Sequence, residues 1–373
     1  MNIKSIQLLL CATIIGFGCE SQPSSISPND NKIRYEQIGE KMTNPWGMVF
    51  LPNGDMLVTE KEGEIRIIRE GKILEEKIGG VPNIHVQGQG GLMDIELHPQ
   101  FDQNRWIYLS YSSSEGGGSG GNTTIARFTL VNNELKEKII LYKVEPNTTK
   151  GQHFGSRLEF DREGYLYFSV GDRGNRDEYP QNVKRDNGKI YRIRDDGSIP
   201  ETNPFVNTEG AKSAIYSYGH RNPQGLAMEL ATGKIWSHEH GPQGGDEVNL
   251  IQPGRNYGWP IISYGINYDG TEFAKATARD GMEQPVIYWV PSIAPCGMTF
   301  VTGDKYPGWE GDLIIGSLKF AYLVHAEVEN GKIVSQEKIA SGIGRVRNVE
   351  QGPDGFLYVG VEGKGIFKLT MEN

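Results

Sequence analysis

One histidine and one aspartate raise the question of chemistry. In "KGQHFGSRLEFDREGYLYFSVGDRG", residues 150–174, His153 stands in a polar, glycine-flanked loop, and Asp172 stands in a second such loop beyond an alternating, strand-like run. An imidazole with one nitrogen held by a carboxylate is a base of fixed tautomer, which is what removal of a hydroxyl proton requires. Taken alone, a histidine in such a loop reads as a turn residue. The chemical reading therefore depends on whether the fold brings the two loops together. Four cations pose a similar question: Arg221, Lys319, Arg345 and Arg347. Singly they read as solvated surface charges. Arg345 and Arg347 alternate, however, and so share one side of an extended segment. Cations gathered without matching carboxylates repel one another. A polyanionic ligand would offset that repulsion, and guanidinium forks suit carboxylates or phosphates. The run "EHGPQGGDEVNL" from Glu239 offers backbone carbonyls and the carboxylates of Asp246 and Glu247, oxygen donors of the kind that hold Ca²⁺. Its acidic spacing is not that of an EF-hand loop, and a polar surface turn accounts for the same residues. His238 and His240 alternate around Glu239 without a third ligand at zinc spacing.

The elements that must position these residues form a repeat. "NPWGMVFLPNGDMLVTE" from Asn44, "GQGGLMDIELHPQFDQNRWIYLSY" from Gly88, "GQHFGSRLEFDREGYLYFSVGD" from Gly151, "RNPQGLAMELATGKIWSHEHG" from Arg221, "APCGMTFVTGDKYPGWEGDLIIGSLK" from Ala294 and "RVRNVEQGPDGFLYVGVEG" from Arg345 share one form. Each is a polar loop, a small residue, an apolar strand, a turn, and a second strand rich in β-branched or aromatic residues. Units of this size spread over the whole chain predict an all-β, six-bladed β-propeller, and no window carries a sustained helical period. "KIRYEQIGE" from Lys32 has no unit of its own and is expected to complete the last blade. In a propeller the loops before each first strand and after each second strand meet at one end of the axis. The first set carries Gln89, His153, Arg221, Asn222, Cys296, Arg345, Arg347 and Asn348. The second set carries Asp172, Glu239, His240 and Lys319.

Composition limits the classes of function. With 38 Lys+Arg against 47 Asp+Glu the formal charge is −9, which argues against a nucleic-acid partner. Lys4 and the apolar residues 6–17 read as an export signal, too short to span a bilayer as a helix. "GFGC" then ends at Cys19 in the form of a bacterial lipoprotein cleavage site, with Gly16 where an aliphatic residue is usual; an ordinary cleaved signal is the alternative. Residues 20–31, rich in Ser, Pro and Asn, read as a flexible tether, and residues 32–373 as the propeller domain. With Cys11 removed and Cys19 lipidated, Cys296 is the one remaining thiol of the body, so no internal disulfide is expected.

The words "GQGGLMDI", "HFGSRLEFD", "YSYGHRNPQGLAM", "EHGPQGGDEVN", "NYGWP", "YGINY", "GSLK" and "RVRNVEQGPDGFLYV" resemble the soluble aldose sugar dehydrogenases of the glucose/sorbosone dehydrogenase family, across essentially residues 33–369. The resemblance implies a six-bladed propeller that uses pyrroloquinoline quinone (PQQ) and Ca²⁺ to oxidise the anomeric carbon of an aldose to a lactone. It implies that His153 takes the anomeric hydroxyl proton while hydride passes to the quinone carbon C5, that Asp172 orients the base, and that Arg221 stabilises charge on the quinone oxygen. Gln89, Asn222 and Tyr268 resemble further cofactor contacts. Lys319, Arg345 and Arg347 resemble the groups that neutralise the cofactor carboxylates, with Ser317, Leu318 and Val346 beside them. The carbonyls of Gly241 and Pro242 resemble ligands of the Ca²⁺ that polarises the quinone; Glu247 and the Tyr257 carbonyl resemble ligands of a second Ca²⁺. PQQ is a tricarboxylate, which supplies the polyanion that the cationic mouth calls for.

The partners then expected are an aldose, an external electron acceptor and a membrane touched only through a lipid on Cys19, with the protein exported to the periplasm or cell envelope as a monomer or dimer. Residues 266–278 and Thr123–Thr124 are expected to line the sugar site. Two rival readings remain on this fold: a hydrolase such as a lactonase, which would need a carboxylate-rich axial Ca²⁺ site in place of the cations, and a non-catalytic binding propeller.

Overall fold

The computed structural model describes residues 30 and 32–372. The signal, Cys11, Cys19 and nearly all of the tether lie outside the described residues. The chain opens with β1 (Ile33–Ile38). Blade 1 follows as β2 (Pro45–Phe50), β3 (Met56–Glu60), β4 (Glu64–Arg69) and β5 (Lys72–Lys77). Blade 2 is β6 (Leu92–Leu97), β7 (Trp106–Ser113), β8 (Asn122–Val131) and β9 (Glu134–Lys143), with a single helical turn, α1 (Phe101–Asn104), in its first connection. Blade 3 is β10 (Leu158–Phe160), β11 (Leu166–Val170), β12 (Lys189–Ile193) and β13 (Ile215–Tyr218). Blade 4 is β14 (Pro223–Met228), β15 (Ile235–Glu239), β16 (Asp246–Leu250) and β17 (Ile287–Trp289). Blade 5 is β18 (Pro295–Phe300), β19 (Leu313–Ser317), β20 (Leu323–Glu329) and β21 (Lys332–Ile339), and blade 6 is β22 (Val346–Gln351), β23 (Leu357–Val361) and β24 (Gly365–Met371). The strands form six four-stranded sheets, the last in the order β1-β24-β23-β22. The N-terminal strand thus completes the final blade, pairing antiparallel from Ile33↔Met371 to Ile38↔Ile366.

The alternation seen in the sequence becomes the packing between blades. A strand with both faces covered reads as a nearly continuous apolar run, and the second strands β3, β11, β15, β19 and β23 are buried along their whole length. Apolar clusters fill each junction: Leu57 and Ile65 meet Ile107 and Phe128, Ile125 meets Phe168 and Tyr191, and Leu226 meets Tyr167 and Ile190. Trp236 and Val248 meet Leu313 and Ile315, Ile314 and Leu323 meet Val349 and Val359, and Met48 and Val58 meet Tyr358 and Ile366. The ring is therefore closed by burial at every junction, including the one that joins its two ends. Among the described residues no helix is long and apolar enough to cross a membrane.

The first strands surround the axis, and five of them carry a register shift near their start: β2, β6, β14, β18 and β22. Bulges of this kind re-aim side chains. Blade 3 solves the same problem differently. Its first strand begins only at Leu158, and the chain before it runs with positive φ at His153 (56°), Gly155 (65°) and Ser156 (88°). This irregular stretch carries His153 at one end of the axis and Arg157 at its centre.

Candidate active site at the axial mouth

The two loops meet. His153 lies in the loop before β10 and Asp172 in the loop after β11, and antiparallel pairing of these strands puts both at the same end. His153 Nδ1 is 2.6 Å from Asp172 Oδ1. The carboxylate is itself fixed: Trp259 Nε1 donates to Oδ2 at 2.8 Å and the Gly174 N–H to Oδ1 at 2.7 Å. The Asp172 N–H donates to the Arg221 carbonyl at 2.8 Å, tying the His–Asp loop to blade 4. Burial works to raise the Asp172 carboxyl, but the His153 hydrogen bond, the imidazole and the Arg221 charge outweigh it and hold the group below the usual carboxylate range. Burial and the charge of Arg221 pull His153 below the ordinary imidazole value against the opposing pull of Asp172. The pair is thus a carboxylate beside a neutral imidazole, with Nδ1 held by the carboxylate and Nε2 the nitrogen it leaves.

Neighbouring residues hold this arrangement. The Gln89 side-chain carbonyl accepts the His153 N–H at 2.8 Å. Asn222 Oδ1 accepts the Gly155 N–H at 3.1 Å and lies 3.4 Å from Gln224 Nε2. Both residues therefore shape the His153 loop, and the Asn222 side chain is buried. The Arg221 N–H donates to Glu239 Oε2 at 2.5 Å, its Nη1 donates to the His240 carbonyl at 3.1 Å, and its guanidinium stands 5.4 Å from the Trp259 ring centroid.

The cations from blades 5 and 6 are arranged differently from the sequence expectation. Arg345 and Arg347 do face one side, but they share a carboxylate there: Glu362 accepts Arg345 Nε at 2.8 Å and Arg347 Nε at 3.0 Å, with a further bond from Arg347 Nη2. The expectation of cations without a matching carboxylate is corrected by Glu362, which directly follows β23 as Asp172 closely follows β11. Two arginines still share one carboxylate, so an excess of positive charge remains. Arg345 Nη1 donates to the Leu318 carbonyl at 3.0 Å. Lys319 is exposed, its Nζ 5.0 Å from the Phe320 ring centroid. The Ser317 hydroxyl is engaged with the Ile293 carbonyl at 2.8 Å, and the Leu318 and Val346 side chains are buried. Tyr268 is 75% exposed on the loop between β16 and β17. That loop is pinned over the mouth by Arg176 Nη1 on Asn267 Oδ1 at 2.8 Å and by Phe273, whose ring is 5.2 Å from that of Trp259. The expectation for Thr123 and Thr124 is corrected. Both are buried strand residues of β8, and Thr123 Oγ1 donates to the Phe154 carbonyl at 2.9 Å, so they support the His153 loop from behind.

Oxygen donors collect beside Arg221. Glu239, Gly241, Glu247 and Tyr257 line one small cavity. Asn249 Nδ2 lies 3.4 Å from Glu239 Oε1 and 3.3 Å from Glu247 Oε2, while its buried Oδ1 has no hydrogen-bond partner among the described residues. Burial, with the Glu239 charge second, pushes the Glu247 carboxyl up to about 8. The half-buried Glu247 carboxyl and the unpaired Asn249 amide oxygen are oxygen donors of the kind a hard divalent cation takes, whereas Glu239 beside them has Oε1 2.8 Å from His220 Nδ1 and Oε2 on the Arg221 N–H. Asp246 is excluded from it, because its oxygens accept the Gly241 N–H at 2.8 Å, the Ala294 N–H at 2.7 Å and the Ser292 hydroxyl at 2.6 Å. His240 Nε2 is 2.7 Å from the Pro295 carbonyl and His238 Nε2 is 3.3 Å from that of Gly297, so each imidazole turns one nitrogen to blade 5.

Sequence reasoning missed three residues at this mouth. Trp259 lies within the word "NYGWP", where nothing in its spacing marks it as a donor to Asp172. Glu362 was visible in principle from its place just after a second strand. Arg157 looked like one residue of an alternating strand, yet it occupies the axis: Nε donates to the Gln224 carbonyl at 2.9 Å, Nη1 to Asp94 Oδ1 at 3.1 Å and Asn348 Oδ1 at 3.2 Å, and Nη2 to the Arg347 carbonyl at 2.6 Å. Nη2 is also 3.5 Å from Cys296 Sγ, and the guanidinium is 4.4 Å from the Trp46 ring centroid. One side chain from blade 3 thereby touches the other five blades.

Known proteins share this fold and much of this sequence. The glucose/sorbosone dehydrogenase family model matches residues 42–368. The aldose sugar dehydrogenase YliI of Escherichia coli (strain K12) is 41% identical over 334 residues, covering 88% of this chain and 89% of the relative. The crystal structure of the soluble aldose sugar dehydrogenase from Escherichia coli in the apo-form superposes with a TM-score of 0.88 at 39% identity, covering 91% of this chain and 100% of that one. The PQQ-bound form of aldose sugar dehydrogenase from Streptomyces coelicolor superposes with a TM-score of 0.76 at 26% identity, covering 91% and 99%.

Proposed function

The chain belongs to the glucose/sorbosone dehydrogenase family, and from that premise we propose that it is a quinoprotein aldose dehydrogenase. It oxidises the anomeric carbon of an aldose to the lactone, with PQQ as electron acceptor and His153 as general base. The observation that carries this reading is the 2.6 Å contact between His153 and Asp172 at a mouth rich in guanidinium groups. With Nδ1 bound to the carboxylate, Nε2 holds the lone pair and takes the proton of the anomeric hydroxyl. Asp172 stays ionised and stabilises the imidazolium that forms. Arg221, already aligned by the His240 carbonyl, presents its remaining N–H groups to an oxygen on which negative charge grows. PQQ, when bound, supplies the two-electron acceptor for the hydride leaving the sugar carbon. His153 then releases its proton to solvent.

Lys319, Arg345 and Arg347 are assigned to the cofactor carboxylates. Gln89, Asn222 and Tyr268 are assigned as neutral contacts, with Ser317, Leu318 and Val346 contributing through the backbone. The carbonyls of Gly241 and Pro242 are assigned to the cofactor Ca²⁺; Glu247 and the Tyr257 carbonyl are assigned to a second Ca²⁺, with Glu239 beside them. An excess of guanidinium charge fits a tricarboxylate, and the Glu247 carboxyl with the unpaired Asn249 amide oxygen fits a divalent cation. Electrons leave for an external acceptor, and the protein is exported and held to a membrane by lipid on Cys19. Dye reduction by purified protein with an aldose tests the assignment. Turnover is expected only when both PQQ and Ca²⁺ are supplied, and equal rates in their absence would refute it.

A further inference from the structure

Directly after Asp172 stands a second arginine that the mechanism does not use. Arg173 is fully buried, and burial pushes its guanidinium down to about 9, so it remains a cation at neutral pH. Among the described residues no carboxylate lies within ion-pair distance of it. Its partners are carbonyls and a ring. Nη1 donates to the Gln152 carbonyl, Nη2 donates to those of Lys150 at 2.5 Å and Gly121 at 3.3 Å, and the guanidinium lies 3.4 Å from the Phe154 ring centroid. Nε has no partner. The contacts bracket His153: two carbonyls before it in the chain and the aromatic ring after it. His153 and Arg173 both hold left-handed backbone, φ 56° and 54°, a conformation that persists in non-glycine residues where surrounding contacts enforce it.

A buried charge without an ion pair is costly, and a neutral donor could satisfy carbonyls without that cost. The retained charge therefore calls for a second role. The charged groups facing the His153 ring are Asp172 from the loop after β11, Arg221 from the loop before β14, and Arg173. Lys150, on the same loop as His153, is turned away, its Nζ donating to the Gly174 carbonyl at 2.8 Å. We propose that Arg173 is the positioning residue of the base: it grips the His153 loop from both sides and places a fixed cation behind the imidazole, which keeps Nε2 unprotonated and aimed at the mouth. This rests on His153 as the base. The direction agrees, because the Arg173 charge lowers the affinity of His153 for a proton, behind the larger effects of burial and Arg221.

The test compares wild type with Arg173→Met, which removes the charge and keeps apolar bulk over Phe154, and Arg173→Lys, which keeps the charge and loses the fork. Histidine ring NMR of the apoprotein, with His153 assigned through its loss in His153→Gln, reads the base without cofactor or turnover. The His153 titration is expected to move to higher pH in Arg173→Met and to stay near wild type in Arg173→Lys. After reconstitution with PQQ and Ca²⁺, both variants are expected to lose about 10- to 100-fold in kcat through misplacement of the base. The acid limb of kcat/KM should move upward only in Arg173→Met. A His153 titration unchanged in Arg173→Met, or wild-type turnover in Arg173→Lys, overturns the proposal. Should Arg173→Met fail to fold, the turnover and pH profile of Arg173→Lys still decide it. Full activity in His153→Gln would sink the base assignment instead, and the NMR arm would still report whether Arg173 acts on the imidazole.

Discussion

The two ends of the axis are built from the same first strands, and they carry opposite chemistry. At the upper mouth His153, Arg221, Arg345 and Arg347 face carboxylates that are all engaged: Asp172 by His153 and Trp259, Glu362 by two arginines. At the lower end a cavity of about 270 Å³ holds Glu96, Glu159 and Glu350, supplied by blades 2, 3 and 6. Burial pushes all three carboxyls up; the charges of Glu159, Glu350 and Asp94 add to it at Glu96, those of Glu350 and Asp94 at Glu159, and that of Asp94 at Glu350, which is pushed up to about 8. Arg157 separates the two ends and is the one cation lining the lower cavity among the described residues. At the upper mouth Asp172 and Glu362 stay ionised because each is paired, and at the lower end Glu96, Glu159 and Glu350 stay neutral because no counter-charge among the described residues pairs them. Charge that survives burial at the upper mouth is thus available to an anion and to proton transfer, whereas the lower acids are proton-bound and inert near neutrality.

The largest expected effect lies at the upper mouth. His153→Gln keeps a side chain that can still bond Asp172 but removes the base, so kcat is expected to fall about 10²- to 10⁴-fold with PQQ still bound. Steady-state turnover at saturating cofactor measures this, and near-normal kcat would remove the chemical distinction between the two ends.

A smaller effect separates the two arginines that share Glu362. They are assigned to cofactor carboxylates whose charge does not change in the reaction, so they should govern affinity more than turnover. Losing a charge-assisted contact costs about 1.5–3 kcal/mol, or about ten- to a hundredfold in PQQ affinity. The Arg347 side chain is 16% exposed and that of Arg345 58%, so Arg347→Ala belongs at the upper end of that range and Arg345→Ala at the lower. PQQ titration of the two apoproteins ranks them. Wild-type affinity in both would mean that the upper mouth is not the cofactor cradle.

The blades were legible because each hairpin writes its own signature: "MLVTE" and "LYVGV" are buried along their length and read as such from residue type. The closing strand was legible because Ile33–Ile38 had no partner of its own. His153 and Asp172 were legible once the register placed their loops at one end. The remainder depended on approach across the axis. Arg157 sits in ordinary strand-like alternation, and its five partner blades are set by ring closure, which no local window contains. Arg173 follows Asp172 in a glycine-flanked loop, where an exposed cation is the ordinary expectation; its burial comes from Phe154 and the 150–152 carbonyls folding over it. Thr123 and Thr124 failed in the opposite sense, since polar β-branched residues after a glycine run read equally as loop or strand.

The smallest effect sharpens the lower end. Glu350 in the folded protein releases its proton near pH 8, against about 4.3 in an unfolded chain. Below both values the acid is protonated in either state and costs nothing. As pH rises past the unfolded value, the unfolded chain ionises while the folded one holds its proton. The folded state then binds more protons, and stability falls with pH until the folded group also ionises near 8. Glu350→Gln removes this dependence and relieves Glu96 and Glu159 of a like-charged neighbour. The variant should therefore match wild type near pH 4 and exceed it by a margin that grows toward pH 8, about 1 kcal/mol once solvent screening in the open cavity is counted. Thermal melts across that range, where about 1 kcal/mol corresponds to about 2 °C in a domain of this size, measure the margin. Turnover should be unchanged, because no step at the upper mouth uses this group. A margin that is constant with pH would show that the lower acids are not held proton-bound by burial, and a loss of turnover would show that Arg157 does not insulate one end of the axis from the other.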